Sequence, residues 1–169
     1  MEIKIIDSCI NKKLQNDIEK TVFNGDLPFK MVNNIADNRK KTFNPGFSST
    51  IVRNSKIEND SKLWILYDFL ELLGINKVLR ANIFLQPPCK SNKINGYHKD
   101  LEQNHLVLLY YINSSDSGTI FKLGNKTKKV KAEKGRCVIF NGSIKHSGIS
   151  PTNWKAVLNI NLWLEDQIK

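Results

Sequence analysis

Cysteine is scarce and badly placed. The chain has 3, Cys9, Cys89 and Cys137, an odd and scattered set without a CxxC, which excludes a zinc knuckle and a disulfide framework. Cys137 stands in an apolar run and reads as a core thiol. Long apolar runs are missing as well: none approaches the roughly 18 residues of a membrane span, and no secretory leader is recognisable. A cytosolic, reduced protein is expected. Arginine is the third shortage. Lys and Arg together number 26 and the formal net charge is +10, yet only Arg39, Arg53, Arg80 and Arg136 are arginine. Such a charge favours acidic partners, but arginine reads phosphates and bases better than lysine. Lys, Asn and Ile also share A/T-rich codons, so a lysine-decorated surface is expected ahead of a nucleic-acid interface.

What remains is ordinary for a globular domain. With 169 residues, 40% hydrophobic and 25% charged, the chain suits one domain burying about 70% of its unfolded surface. No internal repeat or linker interrupts it. Residues 1–76 read as helical and loop support, and 77–164 as the core. Met1 to Ile6 suggests a short strand. Asn11 is a plausible N-cap for a helix with Leu14, Ile18 and Val22 on one face and Asn24-Gly25 as its stop. From Pro28 to Glu58 the periodicity is poor and Asn33-Asn34, Asp37-Asn38 and Asn44-Pro45-Gly46 punctuate it. A second helix, capped by Asp60 or Ser61, would bury Leu63, Leu66, Leu70 and Leu73 and end at Gly74.

Beyond Asn76 short strands follow one another: Lys77 to Gln86, His105 to Asn113, Thr119 to Leu123, Lys128 to Ala132, Cys137 to Asn141, Ile144 to Ile149 and Ala156 to Leu164. Separated by turns rich in Gly, Asn, Ser and Pro, they predict a mostly β fold with flanking helices around a double-stranded β-helix, the cupin-like jelly roll.

Chemistry concentrates between Tyr97 and Trp163. His98 and Asp100, two apart, point the same way on a strand or strand end. His146 follows an apolar strand and a glycine turn. An HxD alone is ordinarily a solvated loop His beside a turn Asp. Two His and one carboxylate on one face of an ion would leave three positions open, the donor set of a non-haem Fe(II) oxygenase. The last strand adds to this. Ala156, Leu158, Ile160 and Leu162 form an apolar face, while Lys155, Val157, Asn159, Asn161 and Trp163 share the other. Asparagine is disfavoured in strands, so this mixed face suits an enclosed polar cavity, where Lys155 would meet the distal carboxylate of a dicarboxylic cosubstrate. His105 opens an apolar run and reads as a strand-edge residue rather than a rival ligand.

From His98 to Trp163 the chain resembles the Fe(II)- and 2-oxoglutarate-dependent dioxygenases, in particular their prolyl 4-hydroxylase-like branch and its small phage-encoded members. Ser117-Gly118-Thr119-Ile120-Phe121 is similar to the GGxTxF signature of prolyl hydroxylases. Arg80-Ala81-Asn82-Ile83-Phe84 resembles the strand before their HxD, with Phe84 where relatives often carry tyrosine. Ile5-Ile6-Asp7 and Asp26-Leu27-Pro28-Phe29 resemble the opening of the phage-type proteins.

The resemblance implies His98, Asp100 and His146 as Fe(II) ligands, Lys155 as the partner of the 2-oxoglutarate carboxylate, and O₂ as the oxidant. It implies hydroxylation of a C–H bond coupled to decarboxylation of 2-oxoglutarate to succinate. Asn161, Asn159, Thr119 and Asn82 are candidates for contacting the cosubstrate, and Tyr110 or Tyr111 for supplying the hydroxyl absent at Phe84. The primary substrate expected first is a peptidyl, prolyl-like side chain, and second a nucleic acid. No membrane partner is expected. Arg39, Lys40 and Lys41 usually read as a solvated charge run; at the site's mouth they would favour an acidic substrate. The reading from another class is a jelly-roll binding module without turnover.

Overall fold

The computed structural model describes residues 2–35, 44–90 and 92–164. In chain order it contains β1 (Lys4–Ile6), α1 (Lys12–Phe23), β2 (Lys30–Val32), β3 (Gly46–Arg53), β4 (Lys56–Ile57), a 3₁₀ turn (Asp60–Ile65), α2 (Tyr67–Leu73), β5 (Val78–Gln86), β6 (His105–Tyr111), β7 (Gly118–Leu123), β8 (Lys126–Lys131), β9 (Cys137–Asn141), β10 (His146–Ile149) and β11 (Lys155–Trp163). Two antiparallel sheets face each other. The major sheet runs β1-β9-β6-β11-β5-β3-β2, with β4 on β3; the minor sheet runs β10-β7-β8. The segment before His98 lies beside β10 through bridges Ile94–Ile149 and His98–His146. This is the expected jelly roll.

Strand β11 is the spine, paired with β5 on one side and β6 on the other. Its period-2 pattern separates the two sides of the sheet. Ala156, Leu158, Ile160 and Leu162 are fully buried against the helical layer, and each large side chain so buried contributes about 1.5–3 kcal/mol. Helix α1 packs Ile18 and Val22 into this layer, and the Asn11 side chain accepts the Leu14 N–H at 2.9 Å, the expected cap. On the other side, Val107, Leu109, Tyr111, Phe121, Val130, Val138 and Phe140 fill the space between the sheets at one end. The opposite end stays open.

Two expectations need correction. The N-terminal part is more than helical and loop support, because β1, β2, β3 and β4 all join the major sheet. The second helix is broken at Leu66 into the 3₁₀ turn and α2, and the side chains it buries most are Ile65, Leu66 and Phe69. No side chain caps either piece; the Ser61 hydroxyl donates instead to Asn59 Oδ1. Gly74 does end α2, at a left-handed φ of 63°. Arg39, Lys40 and Lys41 lie outside the described residues.

Candidate metal centre

Backbone register brings the two histidines together. The His98 N–H donates to the His146 carbonyl at 2.9 Å and the His146 N–H to the His98 carbonyl at 3.0 Å, so the pair is closed by two reciprocal bonds and the imidazole centroids lie 4.7 Å apart. Asp100 follows two positions after His98, as the HxD spacing requires. One donor atom from each of His98, Asp100 and His146 falls within 4.8 Å of the others.

The protonation pattern of both rings follows from their neighbours. His98 Nδ1 faces the Gly96 carbonyl at 3.3 Å and His146 Nδ1 the Ile144 carbonyl at 3.2 Å. A carbonyl can only accept, so each Nδ1 carries the proton and each Nε2 presents its lone pair to the shared space. Burial also pushes the His146 imidazole below its ordinary value against the opposing pull of Asp100, which keeps it neutral and ligand-ready. Phe140 meets its ring edge-on at 4.9 Å.

Asp100 is oriented from the opposite side. Its Oδ2 accepts from the amides of Asn159 and Asn161, each at 2.9 Å. Its Oδ1 lies 3.3 Å from an Arg80 guanidinium nitrogen, 3.7 Å from His98 Nε2 and 3.8 Å from His146 Nε2. Burial opposes ionisation of this carboxyl, but the charges of His146 and Arg80 and the two amides outweigh it, holding Asp100 well below the usual carboxylate range. With His146 neutral at neutral pH, Arg80 and the amides maintain that ionised state. Oδ2 is thus occupied, and Oδ1 is aimed at the histidines. Asn159 and Asn161, expected to contact a cosubstrate, use their donors here on the carboxylate instead.

A cavity of about 600 Å³ opens from these three residues. Lys155 stands on its wall, 5% exposed, with its ammonium donating to the Ile149 carbonyl. Desolvation pulls it from 10.5 down to about 8. Thr119, Asn82 and Phe84 line the same cavity. Asn82 and Asn159 oppose each other across β5 and β11, and the side-chain oxygens of both are buried without a partner. Buried acceptors of this kind are costly unless something fills the space beside them. The glycine of the Ser-Gly-Thr stretch is explained by close approach: a Cβ on Gly118 would lie 2.0 Å from the Val130 carbonyl oxygen. Its neighbour Thr119 then reaches the cavity, and Phe121 stacks toward His146 at 6.0 Å.

The tyrosine expectation is corrected. Tyr110 faces the helical layer, fully buried against Phe69 at 4.9 Å between ring centroids, and its hydroxyl has no partner among the described residues. It cannot reach the cavity. Tyr111, one residue on and therefore on the other face, donates to Thr119 Oγ1 at 2.9 Å. His105 stays outside the cluster: its Nδ1–H donates to the Gln103 carbonyl at 2.7 Å, and its ring fills the place of a Cβ on Gly142. Trp154, just before β11, is 43% exposed. Arg80 is the residue sequence reasoning left without a role. Its signal was its place two before Asn82, on the cavity side of β5.

No family model matches the chain, and no curated protein matches it. Solved structures do share its fold. An oxidoreductase of the 2OG-Fe(II) oxygenase family from Burkholderia pseudomallei superposes with a TM-score of 0.74 at 13% identity, covering 94% of this chain and 84% of that one. A prolyl hydroxylase from Trichoplax adhaerens, in complex with a hypoxia inducible factor oxygen degradation domain peptide fragment, gives 0.73 at 13% identity over 95% and 83% of the two chains. The viral collagen prolyl hydroxylase from Paramecium Bursaria Chlorella virus-1, in a 2OG complex, gives 0.61 at 12% identity over 96% and 97%. At this identity the likeness establishes the fold.

Proposed function

We propose that the chain is an Fe(II)- and 2-oxoglutarate-dependent dioxygenase that hydroxylates a C–H bond, with a peptidyl, prolyl-like side chain as the leading substrate class. The observation that carries this is the joining, in one cavity, of a two-histidine, one-carboxylate cluster with a buried ammonium that makes no ion pair among the described residues. Of the similar structures, one is named as a 2OG-Fe(II) oxygenase and two as prolyl hydroxylases, and the placement near the prolyl 4-hydroxylase-like and phage-encoded members rests on the motifs already quoted.

The residues fit the groups. His98 Nε2, His146 Nε2 and Asp100 Oδ1 would hold Fe(II) on one face, leaving three positions for exogenous oxygen donors. Lys155 would bind the distal carboxylate of 2-oxoglutarate, with Thr119, held by the Tyr111 hydroxyl, on the same cavity wall. When bound, the iron, O₂ and 2-oxoglutarate supply the oxidising equivalent, with succinate and CO₂ as products. The chain's own work is to fix the carboxylate ligand through Arg80, Asn159 and Asn161, keep both imidazoles in the ligating tautomer, neutralise the cosubstrate and exclude water. Phe84 is the one Phe, Tyr or Trp among the described lining residues, a poor platform for sandwiching a flipped base. A peptide therefore fits ahead of a nucleobase. A binding module without turnover would have no use for a buried lysine facing a ligand-ready cluster.

The test is direct. Adding Fe(II) and 2-oxoglutarate without oxygen should give the weak visible charge-transfer band of an iron–keto acid chelate, and admitting air should release succinate. Incubation with peptide and oligonucleotide pools should then yield a +16 mass shift in a peptide. Neither band nor succinate with any pool would leave only the binding module.

A further inference from the structure

Positive charge is not spread evenly over this molecule. Between Ser117 and Ala132 there are 5 lysines, Lys122, Lys126, Lys128, Lys129 and Lys131, and no Asp or Glu. Asp116 and Glu133 stand just outside the two ends of this stretch, and the helical side mixes both signs, with Asp17 and Glu19 beside Lys12, Lys13 and Lys20 on α1 and Asp68 and Glu71 on α2. Strand alternation aims part of the basic stretch outward. Thr119, Phe121 and Val130 are buried on the inner face of the minor sheet, so Lys122, Lys129 and Lys131 occupy the outer one. Their register sets Ile120 against Lys129 and Gly118 against Lys131. Lys145 joins them just ahead of β10, where its carbonyl accepts the Lys122 N–H at 2.8 Å.

All four of these lysines are exposed, and none pairs with a carboxylate among the described residues. Lys122 lies over the Tyr97 ring at 4.4 Å from its centroid, beside His98 and the cavity mouth. Neighbours two apart on a strand are about 6.6 Å apart and diagonal cross-strand neighbours about 7–8 Å. The row from Lys145 through Lys122 and Lys129 to Lys131 therefore spans several phosphates of an extended strand.

Lysines on an edge strand commonly serve to prevent strand-to-strand aggregation, and β8 is an edge. That purpose does not reach Lys122 on the central strand β7, nor Lys145, which precedes β10 and is bonded to β7. A codon bias toward lysine would decorate every surface, whereas here five lysines fall within 117–132 with no Asp or Glu among them. We propose that the outer face of the minor sheet docks the phosphate backbone of a nucleic acid, independently of what the cavity hydroxylates. Lysine suits this role as a point charge that reads no sequence.

The test uses the full chain without added metal and a fluorescein-labelled oligothymidylate followed by anisotropy. Four lysine contacts to a single strand give a slope of about −3 in log affinity against log salt, so affinity should fall about 60-fold between 50 and 200 mM salt. The Lys122→Gln, Lys129→Gln, Lys131→Gln combination should reduce the slope by about 2. The control combination Lys12→Gln, Lys20→Gln, Lys56→Gln, on the far side, should leave it unchanged. Equal losses in both sets would overturn the proposal, as would salt-insensitive binding or none. Tight, variant-sensitive binding to phosphatidylserine vesicles with no binding to the oligonucleotide would overturn it too and point to a membrane surface.

Discussion

Lys155→Met should make the empty protein more stable while removing its cosubstrate affinity. The Lys155 ammonium is buried and titrates at about 8 instead of 10.5. At about 1.4 kcal/mol per tenfold change in proton affinity, holding it charged at pH 7 costs the fold about 3 kcal/mol. Methionine has a similar length and no charge, but it leaves the Ile149 carbonyl without its donor, which returns about 1 kcal/mol. The net gain of about 2 kcal/mol should raise Tm by about 4–8 °C for a domain of this size.

The pH dependence fixes the sign. The folded-state value lies below the unfolded one, so between about 8 and 10.5 the unfolded chain holds a proton that the folded chain has released. Wild-type stability therefore rises across that window, and the advantage of the variant, fully present below it, closes above it. With 2-oxoglutarate and metal the order should reverse, because a buried charge partner is lost and affinity falls about 100-fold or more. Thermal melts at pH 7 and pH 10.5, with and without 2-oxoglutarate, measure all of this. A variant less stable than wild type at pH 7, or a difference that ignores pH, would refute the reasoning that Lys155 is a strained cation awaiting an anion.

Three further outcomes are expected. Asn161→Leu removes one of the two amides that hold Asp100 Oδ2 and should weaken divalent-metal affinity about 10-fold, read by anaerobic titration, with circular dichroism unchanged. Gly118→Ala forces a Cβ to 2.0 Å from the Val130 carbonyl oxygen and should cost about 3 kcal/mol in urea denaturation. Tyr111→Phe, which loses the bond to Thr119, should cost about 1 kcal/mol, whereas Tyr110→Phe, which removes an unpartnered hydroxyl, should be neutral or stabilising; the reverse order would mean that the two faces of β6 are misassigned.

The local signals in the chain were reliable where one pattern decided the outcome. The Asn11 cap and the Leu14, Ile18, Val22 stripe define α1, and the alternation in β11 separates its apolar face from its polar one without knowledge of any neighbour. Strand β3 was hidden because Ser48-Ser49 interrupts its apolar pattern and its register shifts between Thr50 and Val52, so it pairs by backbone with β5 more than by a recognisable face. The choice between Tyr110 and Tyr111 depends on which side of β6 the helices cover, and that is a tertiary fact. Asn159 and Asn161 were placed on the right face, but their partner Asp100 lies about 60 residues earlier in the chain. Arg80 is nearer in sequence to Asp100, but its value becomes clear only when the HxD loop folds over β5 and brings the two together.

The most direct measurement is an anaerobic Co(II) titration of wild type and Asp100→Ala, followed by visible absorption, with Co(II) standing in for Fe(II). One equivalent should bind to the wild type with a spectrum of mixed nitrogen and oxygen ligation, and the variant should lose that spectrum while keeping its fold. An unchanged titration in the variant, or no binding to the wild type, would contradict the assignment of His98, Asp100 and His146 to a single metal site.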